Sequence, residues 1–302
     1  MFKVFETEFC GRPLVVETGK MAQLAGGSCL VRYGETVVHA TATASAKPRD
    51  GIDFFPLAVD YEEKLYSVGK IPGSFLKREG RPSEKAILAS RCIDRPIRPL
   101  FPKDLRNDVA VVATVMSVEQ DNDPVITAMI GASIAISISP IPFAGPIAGA
   151  TVGLVDGKVV VNPTKEQRNK SEMFLTIAGT KAKVNMIEAG AKEVPEDLMF
   201  EGIMAAHREI AKICEFIEGI QKEIGKPKFE YEHMVVPEEL YEDVKAVAID
   251  KVREALDTDD KNIREENLKT VYEYVYGELA EKYPEMEAAI DEALYKLQKY
   301  VV

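Results

Sequence analysis

The chain has 302 residues, 46% of them hydrophobic, and a formal net charge of −11. That is apolar material for one large domain plus a smaller one, and no apolar run of about 18 residues lacks a breaker, so no membrane span is expected. Four widely spaced cysteines and three histidines far apart in sequence argue against a disulfide framework, a zinc site or a histidine-rich metal centre, and the thiols read as ordinary buried groups of a reducing cytoplasm.

The N-terminal stretch MFKVFETEFC has early charge and no apolar signal core, so no signal peptide is expected; the expected location is cytoplasmic. Phe2 to Phe9 alternates as a strand, Gly11-Arg12-Pro13 reads as a turn, and Leu14 to Thr18 returns. Gly26-Gly27 lacks the rest of a phosphate-binding loop and leads into the strand Ser28–Tyr33, so a tight turn is expected there. Gly34-Glu35 turns into Thr36–Ser45, a run of β-branched residues suited to a hairpin partner. His39 in that run reads as a packed residue. Phe54 to Tyr61 is a further candidate strand.

The stretch from Val68 to Pro102 departs from the rest. Between Lys70 and Arg106 there are ten Lys and Arg against four acids, a local +6 in an acidic protein. Pro72-Gly73-Ser74 and Gly80-Arg81-Pro82 punctuate it, so Ser74 to Gly80 is expected to be an exposed loop tip. Ser83 is a candidate N-cap for a helix from Glu84 to about Ile93, stopped by Pro96 and Pro99. Phe75 and Leu76 sit at the tip beside Lys77 and Arg78. An aromatic next to cations suits single-stranded nucleic acid, where a base stacks while phosphates meet the charges. The alternative is that Phe75 packs under its own loop and the cations form a solvated face.

Beyond it, Val109 to Glu119 alternates as a strand, Asp121 to Pro124 is a loop with a possible N-cap, and Val125 to Ile138 reads as a buried helix. Ala150–Val155 and Lys158–Val161 form a hairpin across Asp156-Gly157. Glu172–Ala178 and Ala182–Glu188 form a second across Gly179-Thr180-Lys181. A long amphipathic helix runs from Pro195 to about Ile224, with Met199, Ile203, Ala206, Ile210, Ile213, Cys214, Ile217 and Ile220 on one face. From Glu230 onward there are 20 acids and 9 bases, so a boundary is expected near 227–237. Three helices follow, at Pro237 to Asp257, Asn262 to Glu281 and Glu285 to Tyr300. Tyr272, Val275, Leu279 and Tyr283 share one face of the second as core. The fold class is α+β at about 1–228, then a small all-α domain at about 237–302.

GKIPGSFLKREGRPSE followed by IDRPIRPLFP resembles the first RNase-PH-type core of the bacterial polynucleotide phosphorylase family. ETGKMAQLAGGSCLVRYGETVVHATATAS, ASIAISISPIPFAGPIAGATVGLVDGKVVVNPT and LTIAGTKAKVNMIEAGAKEVPED agree, and the likeness covers Met1 to Val302. It implies an RNase-PH-like core of the ribosomal protein S5 domain 2-like type with a helical linker domain. It also implies phosphorolytic 3′-to-5′ RNA degradation with Mg²⁺ and phosphate, and a homotrimeric ring in which each subunit has a second core. Carried over by motif position, Phe75, Leu76, Lys77, Arg78 and Arg81 would contact RNA, and Arg95 and Arg98 would support the phosphorolytic site. The family pattern has a second aromatic and an arginine where Leu76 and Lys77 stand.

The resemblance also implies an absence. The family's catalytic core carries an Asp…Asp-x-Lys constellation before an Ala-Gly-Thr-type turn, and a serine-rich phosphate-binding segment earlier. Here the turn is Ala178-Gly179-Thr180, and the counterpart positions are Arg168, Phe174 and Thr176. The serine-rich segment's counterpart lies near Asp123-Pro124-Val125. The expectation is therefore a non-catalytic, RNA-guiding half that binds neither Mg²⁺ nor phosphate by itself. With no second core and no KH or S1 module after the helices, it is expected to be a truncated piece or the first half of a longer protein. The alternatives are a non-enzymatic RNA-binding or ring-assembly module, and a structural scaffold whose basic residues meet a neighbouring subunit's acids.

Overall fold

Alternation of apolar and polar side chains makes the first strands. In β1 (Lys3–Phe9), β2 (Arg12–Thr18), β3 (Gly27–Tyr33) and β4 (Thr36–Ala44), alternate side chains such as Phe9, Leu14, Val16, Val31 and Val38 are buried. That is the signature of a sheet covered on one face. The computed structural model describes residues 2–302 except Asp50, Asp53, Ser74, Glu232, Met234, Val235 and Glu285. The chain divides into two units, Met1–Tyr231 and Glu232–Val302.

The first unit holds two sheets. One has the strand order β1-β2-β3-β4-β6-β5. Its only parallel pair among the described residues is β5 (Leu57–Glu63) with β6 (Val109–Ser117), in register from Leu57–Val109 to Glu63–Val115. A parallel pair needs a long crossover, and α1 (Glu84–Ile97) lies in it and packs on β5. The basic stretch is this crossover. The second sheet is antiparallel, in the order β10-β9-β7-β8, from β7 (Ala148–Val155), β8 (Lys158–Val161), β9 (Met173–Gly179) and β10 (Val184–Ala191).

The helix α2 (Pro124–Ile138) joins these layers. Ile126 to Ile138 are all buried; a helix apolar on every side belongs inside a protein. It packs on β3, β4 and β6, and also on β7 and on α4 (Glu196–Ile224). At Gly131 an added Cβ would stand 3.0 Å from Ala40 Cβ, so helix and sheet meet backbone to side chain there.

Several elements differ from their sequence expectation. The first hairpin turns at Cys10-Gly11, both with positive φ (50° and 74°), so Arg12 and Pro13 already belong to β2. Gly26 and Gly27 have no positive φ; a Cβ on Gly26 would lie 3.0 Å from the Ala42 carbonyl and one on Gly27 would run into the Ala135 carbonyl oxygen, so crowding is what favours glycine at the pair. The strand expected from Phe54 begins only at Leu57, after Pro56. The helix expected to end near Ile93 continues through Pro96 to Ile97. Proline there removes one hydrogen bond, while Ile93, Pro96 and Ile97 are buried and the Asp94–Arg98 pair spans the last turn. The second hairpin has a longer connection, with β10 starting at Val184 and a register irregularity before Met186. The short helix α3 (Lys165–Lys170) went unforeseen, although Thr164 and Gln167 form a capping box. Cys29, Cys92 and Cys214 are buried as expected, but Cys10 is half-buried; all four are free thiols.

The second unit is α5 (Glu238–Leu256), α6 (Lys261–Leu279) and α7 (Glu287–Val301), around its own core of Leu240, Val244, Val252, Val275 and Leu294. Leu279 is buried there, with Tyr272 and Tyr283 packed against it. The expected helix start at Glu285 and loop start at Ser74 lie outside the described residues. No described helix is long and apolar enough to cross a membrane.

Candidate nucleic-acid interface

The crossover between β5 and α1 leaves the sheet at Glu63 and makes one 3-10 turn, Leu65–Val68. Gly69, at φ 71°, ends that turn, its N–H donating to the Tyr66 carbonyl while the Lys70 N–H donates to Leu65. A left-handed residue closing a helical turn is natural for glycine. The chain re-enters regular structure at Ser83, whose hydroxyl accepts from the Ala86 N–H at 3.1 Å. Between these anchors stands the expected tip. Phe75 is 99% exposed and Leu76 67% exposed, so Phe75 does not pack under its own loop. Lys77 is in the left-handed region at φ 49°. Lys77, Arg78 and Arg81 are exposed, and none makes a hydrogen bond or ion pair among the described residues. An aromatic face and three free cations on one short loop can meet bases and phosphates together.

Arg95 and Arg98 sit elsewhere. They occupy the far end of α1, Arg95 about 17 Å along the axis from Glu84 at 1.5 Å per residue. Arg95 is exposed and unpaired among the described residues. Arg98 is committed: its Nε and Nη2 donate to the two carboxylate oxygens of Asp94 at 2.9 and 2.8 Å, and Nη2 also donates to the Leu57 carbonyl at 3.1 Å. It ties the end of α1 to the start of β5. The candidate residues therefore form two groups.

Behind the loop lies a cavity of about 890 Å³. Its walls include Glu79, Arg81, Lys85, Asp123 and Arg168, so the sequence-distant counterparts Asp123-Pro124-Val125 and Arg168 line one space. Phe174 and Thr176 do not line it. Phe174 is 47% exposed on β9 and Thr176 is buried two residues on.

The cavity's charges are largely spoken for. Asp123 accepts from the Val125 N–H at 2.8 Å and caps α2, and Glu119 accepts from the Glu35 N–H at 2.9 Å. Glu62 pairs with Lys64 at 2.9 Å and Glu63 with Lys85 at 3.8 Å. The Glu62 hydrogen bond raises the Lys64 ammonium's pKa, and burial pushes the Tyr61 phenol up. No described group of three or more His, Cys, Asp or Glu is placed to hold a metal ion.

Arg168 is held by the protein itself. Nη1 donates to the Pro163 carbonyl at 2.7 Å and Nη2 to the Gln120 carbonyl. Beside it Arg12 donates to the Asp121 carbonyl (2.9 Å), Asn122 Oδ1 (2.8 Å) and the Asn162 carbonyl (2.9 Å). Asn162 in turn donates to the Tyr33 hydroxyl at 3.2 Å and accepts from the Thr151 N–H at 2.9 Å. This network stitches the two sheets together.

The reading of the sequence passed over Arg12, Asn122, Asn162 and Glu79. Glu79 Oε1 accepts from the Leu65 N–H at 2.8 Å, across 14 residues. Its one signal is being the sole acid among the cations from Lys70 to Arg81.

Comparison with known proteins identifies the family and the fold. Residues 11–142 match domain 1 of the 3′ exoribonuclease family and residues 145–209 match its domain 2. The polyribonucleotide nucleotidyltransferase of Ruminiclostridium cellulolyticum is 65% identical over 302 residues, all of this chain and 43% of that protein. That of Clostridioides difficile is 60% identical over 271 residues, 90% of this chain and 38% of that protein. That of Caldicellulosiruptor saccharolyticus is 55% identical over 99% of this chain and 43% of that protein. The chain thus spans less than half the length of these relatives. Among solved structures, rice (Oryza sativa) Rrp46 superposes with a TM-score of 0.55 at 15% identity, covering 72% of this chain and 94% of that one; this likeness is one of fold.

Proposed function

The chain belongs to the 3′ exoribonuclease family, and we propose that it serves as the RNA-guiding, non-catalytic half of a phosphorolytic 3′-to-5′ exoribonuclease. In this reading residues 1–228 are the first core and 237–302 the helical linker domain of a cytoplasmic polyribonucleotide nucleotidyltransferase. The parent protein releases nucleoside diphosphates from RNA with phosphate and Mg²⁺, in a homotrimer that includes a second core. Phe75, Leu76, Lys77, Arg78 and Arg81 receive the single strand. Arg95 and Arg98 support the neighbouring chemistry, Arg95 with a free guanidinium and Arg98 by holding the end of α1.

The observation that carries the non-catalytic part is Arg168. Phosphorolysis needs groups that offset charge on phosphorus, supplied in part by metal-bound carboxylates. At this position stands a cation whose donors already serve two backbone carbonyls. The carboxylates nearby are caps and ion-pair partners. The test is phosphate-dependent release of nucleoside diphosphate from poly(A) with Mg²⁺, run beside RNA binding on the same sample. Binding without release is expected. Release at the rate of a two-core relative would sink the non-catalytic assignment.

A second reading, a ring-assembly module, is favoured by α1. Ile87 (51% exposed) and Leu88 (64% exposed) share its outer surface with Arg91 and Arg95. If that surface serves assembly rather than RNA, the purified chain forms a trimer and shows no RNA affinity.

A further inference from the structure

We infer that Glu79 is a positioning residue that presets the loop from Lys70 to Arg78 for single-stranded RNA. The inference rests on the reading of that loop as the RNA contact and adds the part that holds it. The chain departs at Leu65 and is gathered again at Glu79 by one hydrogen bond, from the Leu65 N–H to Glu79 Oε1 at 2.8 Å. A carboxylate accepting from a backbone amide is a strong form of this bond. The 3-10 turn and the left-handed Gly69 fix the outgoing side. The latch fixes the returning side one residue after Arg78, before the helix cap at Ser83. The stretch between anchored ends then runs from 70 to 78 instead of from 70 to 82. Ordering a short span costs less on binding than ordering a long one.

Glu79 also answers a second problem. Lys77, Arg78 and Arg81 are close in sequence and have no described partner, so they repel one another. A carboxylate between them moderates that repulsion, and its hydrogen bond keeps it at the base of the loop, near Lys64. An acid among RNA-facing cations would otherwise oppose binding. Its place at the root gives it a reason to be there.

This makes the sign of a substitution diagnostic. Simple electrostatics has both Glu79→Ala and Glu79→Gln tighten RNA binding, because each removes a negative charge. The latch has them diverge, because glutamine keeps an oxygen that accepts from the Leu65 N–H and alanine does not. The experiment measures oligo(A) affinity by fluorescence anisotropy for the parent chain, E79A, E79Q and Arg78→Ala. Amide hydrogen exchange at Leu65 and thermal melting are followed on the same samples. Expected for E79A are an affinity about fivefold weaker, faster exchange at Leu65 and an unchanged melting temperature. E79Q should bind as the parent does or tighter. E79A binding at parent strength or tighter, or E79Q weakened as much as E79A, overturns the latch. If R78A weakens binding while E79A does not, the latch alone fails. If R78A binds like the parent, the RNA reading of the loop fails and the latch with it.

Discussion

Two sets of cationic side chains in this protein are used in opposite ways. Arg12 and Arg168 sit where the two sheets meet, and their guanidinium groups are spent on carbonyl and amide oxygens of the chain itself. Lys77, Arg78 and Arg81 stand on a loop with no described partner. The residue types overlap, yet one set is masonry and the other is available to a ligand. What separates them is whether the donors are already satisfied. Charge counted along the sequence does not reveal this, because a guanidinium bonded to carbonyls counts the same as a free one.

The largest expected effect tests the masonry. Arg12→Ala leaves three partly buried acceptors without their donor, and should lower the unfolding free energy by about 3 kcal/mol, read by urea unfolding with circular dichroism. An unchanged midpoint would break the comparison from that side. The next tests the free set. Changing Arg78 and Arg81 together to Ala should leave unfolding within about 0.5 kcal/mol of the parent. It should also reduce the slope of log affinity against log salt by roughly 1.4, as for two phosphate contacts on a single strand. A slope equal to the parent's would remove these arginines from the RNA interface. The smallest effect sharpens the picture within the loop. Leu76→Phe adds a second aromatic face beside Phe75 and should tighten oligo(A) binding by about threefold, short of the full stacking value of about 1–3 kcal/mol per base. Weaker binding in the same titration would mean that the Leu76 side chain does not face the bases.

Much of this was legible in the sequence because it is local. Asp156-Gly157 makes its turn from its own two residues, Ser83 caps from three residues away, and the apolar run after Pro124 could only be an interior helix. Phe75 between prolines and glycines read as a loop tip for the same reason. What escaped depends on distant partners. Pro96 stays inside α1 because Ile93 and Ile97 are buried on the core side, and its carbonyl accepts from Asn185 Nδ2 at 2.9 Å. Gly26 and Gly27 answer to crowding by β4 and α2, which no dipeptide pattern reports. That the Arg168 guanidinium is taken up by the carbonyls of Gln120 and Pro163 is likewise invisible along the chain. The counterpart positions could be aligned from the sequence, but that Asp123 and Arg168 line one cavity while Phe174 stands outside it is a fact of three dimensions.

The all-round burial of α2 carries a consequence for how this protein can change over time. A helix advances by about 100° for every residue, because 3.6 residues complete a turn. A surface helix can gain or lose a residue and let its solvent face absorb the rotation. α2 has no such face from Ile126 to Ile138. One inserted residue would swing Gly131 away from Ala40 and bring a larger side chain to a place where even a lone Cβ would stand 3.0 Å from the Ala40 Cβ. Length variation among descendants of this chain is therefore kept out of α2, a ruler whose count of residues is inherited intact.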